Sequence, residues 1–114
     1  MSSMIVVSEE KNRLFFEHPY TPVVCGNSSY YIRIHFTSDE FNTCDKKYAV
    51  LVVDEKKKQL PFEGNLFKLP ALPNASHFML MVYVKDGEDI YSTTAIKIRL
   101  EPTPIGNLIK FKFN

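Results

Sequence analysis

Four segments of the chain carry the hydrophobic pattern of β-strands. Residues 30–36, 78–84 and 94–100 place mostly apolar side chains at every second position, which is typical of a strand with one buried face. Residues 48–53 are apolar throughout and rich in β-branched side chains, which predicts a central strand covered on both sides. The predicted core takes two positions from each segment: Ile32, Ile34, Val50, Val52, Leu80, Val82, Ile96 and Ile98.

The breaks between these segments have the composition of turns. Asp86-Gly87 predicts a hairpin, because glycine adopts positive φ at little cost. Residues 54–57 predict a similar turn before residues 58–62. Pro61 and Pro70 fall within residues 60–72 and Pro73 follows directly, and proline cannot donate a ladder hydrogen bond. We therefore expect residues 60–72 to form an edge strand or an irregular connection.

The best helical candidate is a single turn at residues 38–43. Ser38 can cap its N-terminus, while Asp39 and Glu40 favour the positive end of the helix dipole. A longer helical repeat of apolar residues is not found in the sequence. About eight short strands with regularly spaced turns predict an all-β fold, a two-sheet antiparallel β-sandwich of the immunoglobulin-like kind.

The 114 residues have the length of one domain. We predict that residues 1–104 form the sandwich and residues 105–114 form a C-terminal strand or an assembly tail. Behind a Pro-Thr-Pro spacer, Ile109, Phe111 and Phe113 share one apolar face and alternate with lysines. This segment either completes its own sandwich or pairs with the edge of a neighbouring subunit. These three residues are the candidate partner-binding residues.

Charge and composition exclude several classes of partner. The net charge is +1, whereas nucleic-acid binding needs a basic surplus on one face. The only basic run, residues 56–58, lies in a predicted turn. Residues 1–10 lack the pattern of a signal peptide, and no apolar stretch approaches the length of a membrane span. With two cysteines, Cys25 and Cys44, we expect free thiols and synthesis in a cytoplasm.

The residue types that carry catalysis are present but scattered. His18, His35 and His77 have no metal-site spacing, and neither cysteine has a base at recognisable spacing. Adjacent carboxylates occur only in predicted turns or at strand ends, and the four glycines form no phosphate loop. We therefore expect no enzymatic activity, no metal and no cofactor. A small-molecule ligand is not expected either.

One stretch resembles a known module. The residues are Phe36-Thr37-Ser38-Asp39-Glu40-Phe41, followed by Lys46-Lys47-Tyr48-Ala49-Val50-Leu51. They resemble a module recurrent in tail, baseplate and fibre-like proteins of bacteriophages that infect Gram-positive and gut bacteria. Phe41 stands where that family has Trp, Leu51 stands where it has Phe, and one extra residue separates the two halves. The Asp86-Gly87 hairpin matches a later hairpin of the module. Residues 36–51 would form a corner in which a turn links two strands, and the ring of Phe41 is expected to lie under that turn.

The resemblance implies a bacteriophage virion protein, from a tail, a baseplate or a capsid-attached accessory component. Its partners would be other virion proteins and copies of itself, and its location the virion, after synthesis in the host bacterial cytoplasm. Two alternatives stay open: a free-standing immunoglobulin-like module that recognises a cell-surface ligand, and a phage-encoded inhibitor of a host protein. Sugar binding commonly uses exposed Trp or Tyr platforms, whereas this chain has no Trp and several Tyr alternate in phase with the predicted core, which disfavours the first alternative.

Overall fold

The structure is a computed structural model, and it describes residues 2–11, 13–17, 23–25, 30–44, 46–72 and 74–101. These residues form ten strands and one short helix. In chain order they are β1 (Ser2–Glu10), β2 (Arg13–Phe16), β3 (Val23–Cys25), β4 (Tyr30–Phe36), α1 (Asp39–Thr43), β5 (Lys47–Val53), β6 (Lys56–Pro61), β7 (Leu66–Leu69), β8 (His77–Asp86), β9 (Asp89–Ser92) and β10 (Ile96–Glu101). The predicted all-β class is confirmed, with ten strands in this part of the chain instead of about eight.

The strands form two sheets that pack against each other, which confirms the predicted sandwich. Sheet A has the order β2-β1-β4-β7. Sheet B has the order β3-β10-β8-β5-β6, and β9 pairs with the second half of β8. The immunoglobulin-like character of the sandwich stays a prediction. So does the domain boundary at residue 104, because residues 102–114 lie outside the described part of the chain.

Two strand pairs differ from the antiparallel pairing expected of the predicted sandwich. In sheet A, β1 runs parallel to β4, with Ile5 opposite Ile34. In sheet B, β3 runs parallel to β10, with Val24 opposite Leu100. In both pairs the partners are distant in sequence, and a parallel pair requires a long crossover connection. Local turn signals carry no information about such pairings.

The core lies between the two sheets and is built from the inward positions of both. Sheet A contributes Ile5, Val7, Leu14, Ile32, Ile34, Phe36, Phe67 and Leu69, and sheet B contributes Ala49, Leu51, Phe78, Leu80, Val82, Val84, Ile98 and Leu100. Five of the eight predicted core residues are fully buried, namely Ile32, Ile34, Leu80, Val82 and Ile98.

The predicted phase of β5 is wrong. Ala49 and Leu51 point into the core, whereas Val50 and Val52 are only half-buried on the opposite face. Because every position of this strand is apolar, the sequence pattern does not say which alternate set faces inward. Ile96, at the start of β10, is also only half-buried and packs against the rim of the core.

Both predicted hairpin turns are present, but the first is shorter than predicted, because Lys56–Lys58 belong to β6 and not to the turn. Asp54 and Glu55 form the two-residue loop between β5 and β6, and both have positive φ, as a type I′ turn requires. Gly87 has a φ of 64° at the first loop position between β8 and β9. The expected edge character of residues 60–72 is also confirmed, because β6, which ends at Pro61, and β7 are edge strands of the two sheets.

The predicted helical turn exists as α1, which links the two sheets at one corner. Ser38 occupies the N-cap position, but its side chain makes no capping hydrogen bond, so that part of the prediction is wrong. Its backbone carbonyl instead accepts hydrogen bonds from the amides of Phe41 and Asn42. As expected, the Phe41 ring is buried under this corner, edge-on to Phe36 and 5.1 Å from the ring of Tyr91.

A buried lysine lies at the centre of the same corner. Lys47 is only 5% exposed, and its ammonium donates to the carbonyl oxygens of Phe41 at 3.1 Å and Asn42 at 2.9 Å. It also donates to Oδ1 of Asn65 at 2.5 Å, from the loop before β7. The Asn42 side chain in turn pairs with both the amide and the carbonyl of Phe36. The network therefore joins the end of β4, α1, β5 and the β6–β7 loop.

The inward and outward positions of sheet B predict unequal losses of stability when two valines on neighbouring strands are replaced by alanine. Val82→Ala should lower the free energy of unfolding by about 2–3 kcal/mol, because it opens a cavity in the core. Val50→Ala removes the same atoms from a half-buried position with less apolar surface around it, and should cost at least about 1 kcal/mol less than Val82→Ala. Urea unfolding of both variants measures the difference, and equal losses would contradict the observed phase.

The hydrogen-bond network of Lys47 predicts different stability changes for substitutions at Lys47 and at its neighbour Lys46. Lys47→Met keeps the length of the side chain but leaves three buried or part-buried oxygen acceptors without this donor, so it should destabilise the fold by about 2–4 kcal/mol. Lys46→Met, at the exposed neighbouring position, should change stability by no more than about 0.5 kcal/mol. Thermal unfolding of the two variants tests this, and a Lys47→Met protein as stable as wild type would show that the network is dispensable.

Candidate protein-binding surface

The outer face of sheet A carries most of the large apolar side chains that are exposed among the described residues. Met4 is 60% exposed, Phe15 39% and Tyr31 44%, and the fourth such residue, Ile90, lies in β9. Side chains alternate across a strand, so the inward positions of β1 and β4 fill the core while Met4 and Tyr31 face outward.

The strand register brings these residues onto one surface. Arg33 lies directly opposite Met4, and His35 lies opposite Val6 on the neighbouring strand. Phe15 lies opposite Ser8, one outward position farther along β1. Residues opposite each other on paired strands point to the same side of a sheet. We call this surface the sheet A patch; its members are Met4, Val6, Phe15, Tyr31, Arg33 and His35.

The β2 end of the sheet A patch borders a shallow depression. Leu14, Phe15 and Thr94 line it together with the charged side chains of Glu10, Lys11 and Arg13. Beneath Phe15, the hydroxyl of the buried Ser8 donates to the carboxylate of Glu17. This hydrogen bond ties the end of β2 to β1 and fixes the strand from which the Phe15 ring projects.

The composition of the sheet A patch is that of a protein interface. Phe, Tyr, Met and Arg are enriched at interface centres relative to other surfaces. On the β4 side the charges are positive, because Arg33 lies in the patch and Lys68 lies opposite Tyr31. A partner surface with an apolar centre and carboxylates along one rim would complement this arrangement.

The outer face of sheet B is a second apolar surface. Along β5 and β8, six half-buried side chains form three paired rows, which we call the sheet B stripe: Val52 with Met79, Val50 with Met81, and Tyr48 with Tyr83. The two tyrosine rings stack at 5.0 Å and are almost parallel. The stripe is flanked by basic side chains at Lys57 on β6 and at Lys97 and Arg99 on β10.

The histidines and the cysteine considered for catalysis or metal binding are dispersed in the structure. His35 lies on the outer face of sheet A and His77 on the outer face of sheet B, so the structure does not bring them together. Cys44 is a half-buried free thiol whose sulfur lies 3.0 Å from the carbonyl oxygen of Lys85. His18 and the predicted partner-binding residues Ile109, Phe111 and Phe113 lie outside the described residues, so their assignment stays a prediction.

Carboxylates gather where α1 meets the β8–β9 hairpin. The pKa of Glu40 is raised, mainly by a hydrogen bond to Asp86 and by repulsion from the charge of that residue, with smaller effects of partial burial and Glu9. Burial and then the charge of Asp89 raise the pKa of Tyr91 beside them. Within the described ranges, no group of three or more His, Cys, Asp or Glu side chains is arranged to hold a metal ion.

A membrane-spanning helix is not found among the described residues, where the helix present has five residues. No family model matches the chain, and neither a curated protein nor a solved structure matches it significantly.

Only part of the sheet A patch is recognisable from the amino-acid sequence. Alternation along residues 30–36 places Tyr31, Arg33 and His35 on the face opposite the core, as observed. Met4 was missed because β1 was not predicted as a strand and its pairing with β4 is long-range. Phe15 was missed because its place in the patch depends on the pairing of β2 with β1. The alternation of Ile5 and Val7 was the available signal, but it is short and flanked by polar residues.

The carboxylate cluster predicts a pH-dependent effect of Glu40→Gln. A raised folded-state pKa stabilises the fold only at low pH, and this contribution is lost as the pH rises through that pKa. At neutral pH the charged Glu40 therefore opposes folding. Glu40→Gln should raise the thermal midpoint at neutral pH, and the gain should vanish near about pH 3, where carboxyl groups are protonated.

Thermal unfolding at both pH values measures this effect. Glu88→Gln is the matched control, because Glu88 is an exposed carboxylate of the same hairpin and does not contribute to the shift of Glu40. The thermal midpoint of the Glu88→Gln control should rise less at neutral pH than that of Glu40→Gln. Equal gains in the two variants, or a gain of Glu40→Gln that persists at low pH, would contradict the assigned Glu40–Asp86 interaction.

Proposed function

We propose that the protein is a structural or accessory component of a bacteriophage virion that acts by binding other virion proteins. The observation that carries this proposal is the sheet A patch, where exposed Met4, Phe15 and Tyr31 stand beside Arg33 on a preformed sheet. An exposed apolar surface of this composition is typical of a protein–protein contact. Catalysis, a cofactor, nucleic acid and a membrane have no part in the proposed role.

The resemblance at residues 36–51 supports the virion context. The residues that carry it form the corner between the two sheets: Phe41 fills the space under α1, and Lys47 holds the carbonyl groups around it. A module that depends on this corner keeps an aromatic residue and a lysine at these positions for packing and hydrogen bonding. The shared motif therefore relates to the scaffold, and the sheet A patch supplies the proposed contact.

The proposal predicts that the protein is found in particles. Virus particles purified from the source culture should contain it in a fixed ratio to capsid or tail proteins, as measured by quantitative mass spectrometry. Neighbouring genes that encode capsid, portal or tail proteins would agree with this result. Particles that lack the protein would contradict the virion role.

The proposed contact surface has a separate test, the capture of purified virion proteins by variants of the chain. Phe15→Ser with Tyr31→Ser should reduce capture of purified virion proteins by about thirtyfold or more, as expected for aromatic residues at an interface centre. Ile90→Ser is the matched control, because Ile90 is 62% exposed but lies outside the sheet A patch. Equal capture by the two variants would exclude the patch as the contact.

The alternatives give different results with the same reagents. Binding of the purified protein to bacterial cells without particles would favour a module that recognises a cell-surface ligand. Stoichiometric binding of one host protein, with no virion protein captured, would favour an inhibitor. Either result would overturn the proposed function, while the described fold would stand.

A further inference from the structure

The sheet B stripe is too apolar for a solvent-facing surface of a sandwich. An antiparallel sheet with one solvated face normally alternates between apolar and polar side chains. In β5 and β8, three consecutive outward positions on each strand are apolar, from Val52 and Met79 to Tyr48 and Tyr83. The inward positions of the same strands are filled with core residues. Both faces of this strand pair therefore have the composition of a covered surface.

We infer that the sheet B stripe is the docking surface for the chain's own C-terminal segment, residues 108–113. Ile109, Phe111 and Phe113 alternate with Lys110 and Lys112, so an extended segment presents three apolar side chains on one side. The inference is independent of the proposed virion role.

The apolar side of the C-terminal segment and the sheet B stripe have the same length. Three residues at alternate positions span about 13 Å of extended chain, and the three rows of the sheet B stripe span the same four residue steps. Ile109 would then face the Val52–Met79 row, Phe111 the Val50–Met81 row, and Phe113 the stacked tyrosines. The lysines of the segment point to solvent in this arrangement.

The connection from β10 can reach the sheet B stripe. Lys97 lies opposite Met79, so Glu101 ends β10 about 13 Å beyond the first row of the stripe. Residues 102–107 span up to about 20 Å when extended, which covers the return onto the face. A shallow depression lined by Val52, His77 and Met79 lies at this end of the stripe.

One alternative within the same sheet is its free edge at β6. That edge carries three consecutive lysines, Lys56–Lys58, and ends at Pro61, which cannot donate a ladder hydrogen bond. Pairing there would place the lysines of the C-terminal segment beside three further positive charges. On the outer face the basic side chains of Lys57, Lys97 and Arg99 lie beside the stripe, but the stripe itself is apolar and the lysines of the segment point away from it. An attached segment also has a millimolar effective concentration, which favours its own chain over a second copy.

Cross-linking in the full-length chain tests the inference. In a background with Cys25→Ala and Cys44→Ala, the pair Met81→Cys and Phe111→Cys is treated with a short bismaleimide at micromolar protein concentration. We expect a cross-linked monomer, verified by mass spectrometry of its peptides. The control pairs Phe111→Cys with Tyr31→Cys, on the outer face of sheet A, and should give at least about tenfold less intramolecular product.

Methionine oxidation gives a second readout that does not need the cysteine pair. In a folded Phe111→Ser, Phe113→Ser variant, Met79 and Met81 should react with hydrogen peroxide at least about threefold faster than in wild type, whereas exposed Met4 should not change. A mainly dimeric cross-link would overturn the inference in favour of a second copy. Equal cross-linking of the two pairs, or unchanged Met79 and Met81 oxidation, would also overturn it.

Discussion

The sandwich depends on the way one buried ammonium holds the corner where the chain passes from sheet A to sheet B. Lys47 begins β5, and its three hydrogen bonds reach the C-terminal half of α1 and the loop that precedes β7. A buried charge is tolerated only when its hydrogen-bonding capacity is satisfied, so these acceptors must stay in place. Asn42 extends the constraint to the backbone of Phe36, the last residue of β4. The relative position of the two sheets at this corner is thereby defined by polar geometry as well as by apolar packing.

Two outer faces with different characters follow from this arrangement. The sheet A patch combines strongly exposed apolar side chains with Arg33 and His35, a composition suited to reversible contact with another protein. The sheet B stripe is less exposed and lacks charged side chains among its six members, as is typical of a surface that stays covered. In the proposed arrangement, the chain's own segment covers the sheet B stripe, and the sheet A patch stays open to a partner. The orientation of the sandwich in a complex would then be defined.

Much of the fold could be predicted from the sequence where local patterns are unambiguous. Alternation at residues 30–36 gave β4, and the Asp86-Gly87 pair gave the hairpin after β8. The phase of β5 could not be predicted, because a strand that is apolar on both sides gives no sign of its inward face. The burial of Lys47 was equally hidden, since its acceptors come together only in the folded chain. The outward position of Tyr31 in the sheet A patch could be predicted from the alternation of β4. The place of Met4 could not, because it depends on a parallel pairing between distant segments.

The two parallel pairings have a consequence for the order in which the molecule can form. β1 and β4 can meet once the first strands are available, but β3 at one edge of sheet B must wait for β10. Loop closure therefore precedes much of the energetic gain, as in other β-folds whose contacts are distant in sequence. Until β5, β8 and β10 assemble, the apolar inner side of sheet A has no cover. The growing chain thus passes through a state whose interior is open, and solubility during synthesis depends on how quickly sheet B closes over it.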